Sequence, residues 1–336
     1  MEIEKARILG FCFGVKRAVE LVEKATTNGS AVETLGAVVH NRTVTERLQR
    51  KGVRVINALT EAHGPAVAVS SHGVGPDVIQ EIQARNLRVI DATCPRVRHA
   101  QRAAEEFCRQ GFHVIVFGDA EHPEVRGILG WAGGNGIACL DADTLVATKL
   151  PPRLGVLCQT TQNRASFAKF VSYIAERWLP VGKEIRVINT ICQATSQRQA
   201  AAAALARKAD LMIVVGGRTS SNTKRLAEVC ESVGVETHLV ETADDIDPAW
   251  LKGRHHAGIT AGTSTPDESV EGVAEKLRRL ADAKSNASHA CRGGPERGPH
   301  NGGRGSPPTP PSGPSFFRQS DGNAGGAPTA RRPAPN

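Results

Sequence analysis

The amino-acid sequence predicts an α/β protein built from three pseudo-threefold-related domains with parallel sheets, followed by a disordered C-terminal tail. Three observations lead to this fold class. A pattern of short strand, cysteine and helix occurs three times, around Cys12, Cys94 and Cys192. Further strand–loop–helix units fill the intervals. The composition, 40% hydrophobic and 23% charged, is that of a globular protein with a sizeable core.

The repeat becomes visible when three segments are aligned. Residues 6–12 lead into GVKRAVELVEKA, residues 87–94 into PRVRHAQRAAEEF, and residues 185–192 into QATSQRQ. Each segment is a short run of strand-forming residues that ends in a cysteine, and each is followed by apolar residues of helical period. The cysteines are 82 and 98 residues apart. A period near 90 residues predicts domains over residues 1–95, 96–190 and 191–284, with a tail over 285–336.

The intervening units alternate strand and helix, which predicts parallel sheets. They are AVAVSSHGVGPDVIQEI, FHVIVFGDAEHPEVRGIL, RLGVLCQTTQNRASFAKFV, DLMIVVGGRTSSNTKRLAEV and HAGITAGTSTPDESVEGVAEKL. In such sheets ligands gather beyond the carboxyl ends of the strands, where helix N-termini present free N–H groups. The suggestive polar residues all fall at these turns: His72, His122, Glu124, Thr160, Ser220, Ser221, Asn222 and Ser264.

The net charge of +8 does not by itself indicate a nucleic-acid partner. Half of it lies in residues 285–336, which also hold ten of the 34 Gly and ten of the 19 Pro. Such a segment buries too little apolar surface to fold, so we predict a solvated, disordered linker and no nucleic acid. No run approaches the ~18 apolar residues of a membrane span, and the N-terminus lacks a signal-peptide pattern. We therefore expect a cytoplasmic protein without a membrane partner.

Three cysteines at equivalent repeat positions indicate a shared metal site. A pseudo-threefold arrangement brings Cys12, Cys94 and Cys192 to one axis, and thiolates favour zinc or iron–sulfur clusters. Structural zinc usually takes four ligands from paired spacings, and the sequence contains no C-x-x-C. Three isolated thiolates suit a 4Fe-4S cluster with one open iron. The alternative is that all three are ordinary buried cysteines.

The remaining turn residues indicate a cage for a small, highly charged anion such as a diphosphate. Ser220, Ser221, Asn222 and Ser264 supply hydroxyls and amides at helix starts, where they can also act as simple N-caps. His40, His72 and His122 add donors whose charge can change near neutral pH, although a single loop histidine is more often a surface residue. Glu124, two residues after His122, is either the proton donor or a first-turn acid that stabilises a helix dipole.

Nine motifs together resemble the LytB family of 4-hydroxy-3-methylbut-2-enyl diphosphate reductases, over roughly residues 1–283. They are GFCFGVKRAVEL, VVHNRTV, SSHGV, DATCPRV, EHPEVRGILG, QTTQ, NTICQAT, GGRTSSNTKRL and GITAGTSTP. The tail from residue 285 has no counterpart in this resemblance. A further departure is Asn189, where the family often has aspartate, as Asp91 in the second repeat. Asn189 is adjacent to a cysteine loop and removes no ligand.

The resemblance implies the last step of the non-mevalonate isoprenoid pathway. Cys12, Cys94 and Cys192 would hold one 4Fe-4S cluster with an open iron site in a central cavity. Glu124 would donate protons, Thr160 would lie near the substrate hydroxyl, and the histidines, serines and Asn222 would bind the diphosphate. The substrate would be an allylic alcohol diphosphate, reductively dehydroxylated to isopentenyl and dimethylallyl diphosphates. A ferredoxin- or flavodoxin-type partner would donate the electrons to a monomer or homodimer.

Two other classes of protein stay open on the sequence. One is a non-redox iron–sulfur dehydratase or a quinolinate-synthase-like enzyme, which an absent electron requirement would favour. The other is a nucleic-acid or regulatory binder led by the basic tail. In that case deletion of residues 285–336 would abolish function while Cys12→Ser would not.

Overall fold

A computed structural model describes residues 1–26, 31–145 and 150–290. Residues Met1–Ala290 form one compact unit, whose described residues contain three four-stranded sheets in which all strand pairs are parallel. The predicted α/β class with three parallel sheets is therefore confirmed. Within the described residues, no helix is long and apolar enough to cross a membrane.

The strands and helices alternate along the chain. The strands are β1 (Glu2–Lys5), β2 (Val32–Leu35), β3 (Val53–Ile56), β4 (Ala66–Val69), β5 (Arg88–Asp91), β6 (His113–Phe117), β7 (Gly136–Cys139), β8 (Arg153–Cys158), β9 (Glu184–Val187), β10 (Leu211–Val215), β11 (Glu236–Val240) and β12 (His256–Ala261). The α-helices are α1 (Phe13–Thr26), α2 (Arg42–Arg50), α3 (Pro76–Ala84), α4 (Pro95–Arg109), α5 (Pro123–Trp131), α6 (Arg164–Trp178), α7 (Gln193–Ala206), α8 (Ser221–Glu231) and α9 (Asp267–Ala290).

The three sheets share one strand order. The first runs β3-β2-β4-β5, the second β7-β6-β8-β9, and the third β11-β10-β12-β1. The fourth position of the third sheet is thus filled by the N-terminal strand, in which Glu2 is paired with His256. β1 therefore belongs to the third sheet and not to the predicted first domain of residues 1–95. The C-terminal part of the described chain supplies only β10, β11 and β12 to this sheet, and the start of the chain supplies the fourth strand.

Two boundaries differ from the sequence-based expectation. In the first repeat we expected the strand just before Cys12, but it ends at Lys5, and residues 6–12 form a loop in which Gly10 has φ +73°. At the other end, α9 continues to Ala290, so residues 285–290 belong to a helix rather than to the tail. The rest of the predicted disordered tail, residues 291–336, lies outside the described residues.

Helices cover both faces of each sheet, and the apolar core lies between the helices and the strands. Strands β4 and β10 are buried at every position, as is typical of parallel strands packed between helix layers. Helix α9 buries Val273, Ala274 and Leu277 against the third sheet. This packing holds the carboxyl ends of the strands, and the loops that follow them, in place.

Candidate active site

All of the residues predicted from the sequence to be functional line a single cavity within the described part of the chain. They are Cys12, His40, His72, Cys94, His122, Glu124, Thr160, Cys192, Ser220, Ser221, Asn222 and Ser264. Each of them lies in a loop that follows a strand or in the first turn of the next helix. The carboxyl ends of the strands of all three sheets therefore contribute to one site.

The three cysteines lie where the chain passes from one sheet to the next. Helix α1 begins one residue after Cys12, whereas Cys94 and Cys192 are the N-cap residues of α4 and α7. Glycine is needed for this approach, because a Cβ on Gly14 would lie 2.4 Å from the Cys94 Sγ. The motif GFCFGV thus has a packing reason as well as a chemical one.

Burial and the helix N-termini shift the thiol pKa of Cys12 and of Cys94 in opposite directions. Burial raises the pKa of Cys12 and of Cys94. The Val15 N–H donates to the Cys12 Sγ at 3.4 Å, and this hydrogen bond lowers the Cys12 pKa, as does the charge of Arg198. A helix N-terminus and a nearby cation favour the thiolate, which is the form that binds metals.

The spacing of the thiols favours a cluster over a single ion. Two thiolates on one zinc ion lie roughly 3.8 Å apart, given Zn–S bonds of ~2.3 Å and tetrahedral geometry. Within the described residues, the sets of three donor atoms that all lie within 4.8 Å of one another do not include the three Sγ atoms. The cysteines therefore fit a larger group, such as an iron–sulfur cluster with three protein ligands.

The three histidines form a compact group in the same cavity. The ring centroids of His40 and His72 lie 4.4 Å apart, and those of His122 lie 5.6 and 5.3 Å from them. Burial lowers the pKa of all three: that of His122 falls to about 4, and that of His72 lies well below its ordinary value. Desolvation of the charged form is the largest cause for each of the three, so burial favours the neutral rings.

The histidine group suits an anion better than a metal ion. Its donor atoms lie within 4.8 Å of one another, but the Glu124 N–H donates to the His122 Nδ1 at 3.1 Å. Nε2 of His122 therefore carries the proton and can donate it to a ligand. A metal-ligating histidine has the opposite arrangement, since its second ring nitrogen donates. Lys224 adds positive charge, which after burial is the next cause of the low His40 pKa.

Asn222, in the first turn of α8, contributes an amide without hydrogen-bond partners to the cavity. Both Nδ2 and Oδ1 of Asn222 are buried without a protein partner, and the side chain is only 2% exposed. His40 Nε2 is likewise buried and unpartnered. Because both residues line the cavity, these unsatisfied atoms are available to a ligand bound there. Ser220 serves as an N-cap, because its Oγ accepts from the Thr223 N–H at 3.4 Å, and Ser264 Oγ donates to the His40 carbonyl at 3.4 Å.

Glu124 is held in a hydrogen-bonded pair with Thr160. The side chain is 2% exposed; its Oε1 accepts from the Thr160 N–H at 2.6 Å, and its Oε2 lies 2.9 Å from the Thr160 Oγ1. Burial raises the pKa of Glu124 to about 7, and the Thr160 hydrogen bonds oppose this only in part. A carboxyl group that is half protonated at neutral pH can act as a general acid.

Two functional candidates escaped the sequence analysis. Arg198, in QATSQRQ, has the sequence pattern of an ordinary helical arginine, but its charge interacts with the thiols of Cys12 and Cys192. Lys224, in SSNTK, has the pattern of a surface lysine, but its charge lowers the pKa of His40 and His122. Only a signal from the tertiary structure could have found Arg198, because it contacts Gly10, far away along the chain. Lys224 lies one turn after Ser220 and could have been included with that motif.

The departure at Asn189 preserves a turn and removes a charge. Asn189 Oδ1 accepts from the Ile191 N–H at 3.0 Å, as Asp91 Oδ1 does from the Thr93 N–H. Asp91 also forms an ion pair with Arg98. The residue equivalent to Arg98 in the third repeat is Ser196, so both members of that pair are neutral there.

The fold and the cavity define a class of protein: a three-sheet α/β enzyme whose cavity is lined by three cysteines, three histidines and a buried acid. The family described as LytB protein matches residues 3–278, and the chain belongs to this family. The resemblance found in the sequence is thereby confirmed.

The curated relatives share one name. The chain is 46% identical over 282 residues to 4-hydroxy-3-methylbut-2-enyl diphosphate reductase of Dehalococcoides mccartyi (strain CBDB1), covering 84% of this chain and 99% of the relative. The enzyme of the same name from Geobacter metallireducens is 43% identical over 288 residues, covering 85% and 100%.

Solved structures agree with the fold. A structure of (E)-4-hydroxy-3-methyl-but-2-enyl diphosphate reductase, the terminal enzyme of the non-mevalonate pathway, is 38% identical, with a TM-score of 0.60 over 83% of this chain and 100% of that one. The E-1-hydroxy-2-methyl-but-2-enyl-4-diphosphate reductase from Plasmodium falciparum is 28% identical, with a TM-score of 0.76 over 80% and 86%.

Proposed function

We propose that this chain is an oxidoreductase that converts (E)-4-hydroxy-3-methylbut-2-enyl diphosphate to isopentenyl and dimethylallyl diphosphates. The conversion consumes two electrons and two protons and releases one water. The names of the relatives support the activity, and they favour a reductive reaction over the non-redox dehydratase alternative. The observation that carries the substrate class is that the cavity is lined by both Asn222, with a buried, unpartnered amide, and His40, with a buried, unpartnered Nε2.

Three thiolates would hold the cofactor. Cys12, Cys94 and Cys192 line one cavity at three helix starts and fit a 4Fe-4S cluster with one iron free of cysteine. Such a cluster supplies a Lewis-acid site and one-electron transfer. Cys12 packs against a buried apolar cluster that includes Ala18, Val19 and Ala92.

The anion corner would bind the diphosphate. His40, His72 and His122 offer ring N–H donors, and Lys224 adds charge. Asn222 and the hydroxyls of Ser220 and Ser221 come from the start of α8, and that of Ser264 comes from the loop between β12 and α9. A bound diphosphate would satisfy these donors and would raise the pKa of the histidines by its negative charge.

Glu124 and Thr160 would deliver the proton that makes the substrate hydroxyl a leaving group. The carboxyl group of Glu124 is buried, so few groups can accept its proton. The Thr160 Oγ1, 2.9 Å from the Glu124 Oε2, can accept that proton and pass its own to the substrate oxygen. This placement fits the substrate with its diphosphate among the histidines and its hydroxyl end beside Thr160.

The electrons would come from a ferredoxin- or flavodoxin-type protein. Phe13, next to Cys12, is 75% exposed, and Lys16 is exposed one turn later. Helices α1, α4 and α7 have no acidic residue in their first turns, so this surface complements an acidic partner. Complexes between redox proteins have small interfaces, and their association depends on the salt concentration. A cytoplasmic location and a monomer or homodimer remain predictions that belong with this proposal.

A charge reversal tests the partner surface. Lys16→Glu should raise the KM for an acidic carrier severalfold and weaken its dependence on salt, while turnover driven by a small dye is unchanged. Lys183→Glu, exposed just before β9, is the matched control. Equal carrier kinetics in both variants would remove this surface from the proposal.

Anaerobic preparation tests the function itself. The protein should be brown, carry about four irons per chain, and reduce the hydroxylated diphosphate with a low-potential dye. Turnover that needs no reductant would support the dehydratase alternative, and a protein that binds only zinc would exclude the cluster.

A further inference from the structure

Arg198 is a buried cation whose only hydrogen-bond partners among the described residues are backbone carbonyls. The residue is 4% exposed and lies on α7, six residues after Cys192. One Nη donates to the carbonyls of Gly10 and Leu9 at 2.7 and 3.4 Å, and the other to that of Ala194 at 3.5 Å. Its Nε is buried without a partner.

A buried guanidinium needs a counter-charge, because an unpaired charge in a protein interior is strongly destabilising. Within the described residues, no carboxylate forms an ion pair with Arg198. Its charge interacts instead with the thiols of Cys12 and Cys192. Burial lowers the pKa of Arg198, and the two thiols, as negative charges, oppose that shift.

The fold itself does not require an arginine at this position. The equivalent residues, six after Cys12 and six after Cys94, are Ala18 and Ala100, and both are fully buried. All three residues lie on the helix that follows a cysteine, so the same packing position accepts alanine twice. The long side chain in the third repeat reaches the loop of the first repeat at Gly10, which ends at Cys12.

We propose that Arg198 is a positioning residue that fixes the loop before Cys12 and supplies the positive counter-charge for the thiolates of Cys12 and Cys192. This inference rests on the proposed function, in which those thiolates hold an iron–sulfur cluster. A fixed positive charge favours the more negative, reduced form of such a group and so raises its reduction potential. Arg198 is not among the residues that line the cavity in the described part of the chain.

The experiment compares Arg198→Gln, Arg198→Lys and Arg207→Gln as anaerobically prepared full chains. Arg207→Gln is the matched control, since it removes the same charge from the end of the same helix, nine residues or ~14 Å away. The readouts are iron content, the rate of iron loss to a chelator, and the midpoint potential from a spectroscopic redox titration.

Arg198→Gln should shift the one-electron reduction equilibrium about tenfold toward the oxidised form, which is about 59 mV, and should lose iron faster. Arg198→Lys should retain the potential while losing iron faster, because it keeps the charge but not the fork that binds three carbonyls. A potential in Arg198→Gln equal to that of Arg207→Gln overturns the inference alone. A wild-type chain without iron overturns the proposed function as well.

Discussion

The substitution Glu124→Gln separates proton donation from a purely structural role. Glutamine keeps the shape of the side chain and both contacts to Thr160, since its Oε1 can accept from the Thr160 N–H and its amide can donate to the Thr160 Oγ1. The fold and the binding of diphosphate should therefore survive. What is lost is a proton at the position next to the substrate hydroxyl.

Two magnitudes follow from the structure. If Glu124 donates the proton, the rate should fall by ~10²–10⁴-fold, the usual contribution of a positioned general acid. In the wild type, kcat/KM should fall roughly tenfold per pH unit above about pH 7, where Glu124 loses its proton. That limb should be absent from the residual activity of the variant. If Glu124 only stabilises the dipole of α5, the change should cost ~1 kcal/mol or less and little rate.

Stability gives a second, independent reading. The pKa of Glu124 is raised from 4.5 to about 7, so between these values the folded chain keeps a proton that the unfolded chain has released. Its contribution is present in full below pH 4.5 and is lost as the pH rises through 7. Relative to wild type, Glu124→Gln should gain stability over this window, by about 3 kcal/mol at most.

The assays are steady-state reduction of the hydroxylated diphosphate by a low-potential dye at several pH values, and denaturant unfolding at pH 4.5 and 8. Near-normal turnover of Glu124→Gln would refute its catalytic role and leave the proton source to His122, Thr160 or the substrate's own diphosphate. A stability difference that does not change with pH would refute the raised pKa.

Three further sets of variants test the cysteines, the proposed diphosphate contact of Asn222 and the C-terminal tail. Cys12→Ser, Cys94→Ser and Cys192→Ser should each largely abolish iron retention and turnover, whereas Cys108→Ser should spare both; iron retained in any of the first three would contradict the shared thiol site. Asn222→Ala should weaken the binding of inorganic diphosphate by ~1.5–3 kcal/mol, the contribution of a hydrogen bond to a charged group, as measured by calorimetry, and unchanged affinity would remove Asn222 from the anion corner. Truncation after Ala290 should leave kcat and the thermal midpoint unchanged, because the alignment with the Dehalococcoides mccartyi relative covers 99% of that protein and only 84% of this chain; a large loss of activity would show that the tail acts on the core.

The sequence alone determined the class of the fold, and it predicted residues that the structure brings together in one cavity. Strand and helix periodicities located five units: β4–α3, β6–α5, β8–α6, β10–α8 and β12–α9. In parallel α/β sheets functional residues follow the strands. The repeat around Cys12, Cys94 and Cys192 was legible because each cysteine directly precedes a helix. These signals are local, so they need no knowledge of how distant segments meet.

Only the tertiary structure decided how the segments close and how the groups are charged. β1 lies at the start of the chain and completes the third sheet by pairing with β12, which is more than 250 residues away along the sequence. Arg198 meets Gly10 across 188 residues of sequence, and burial lowers the pKa of the three histidines and raises that of Glu124. Pairing between distant strands and the loss of solvent around a charge depend on the whole packed molecule, and no local pattern encodes either.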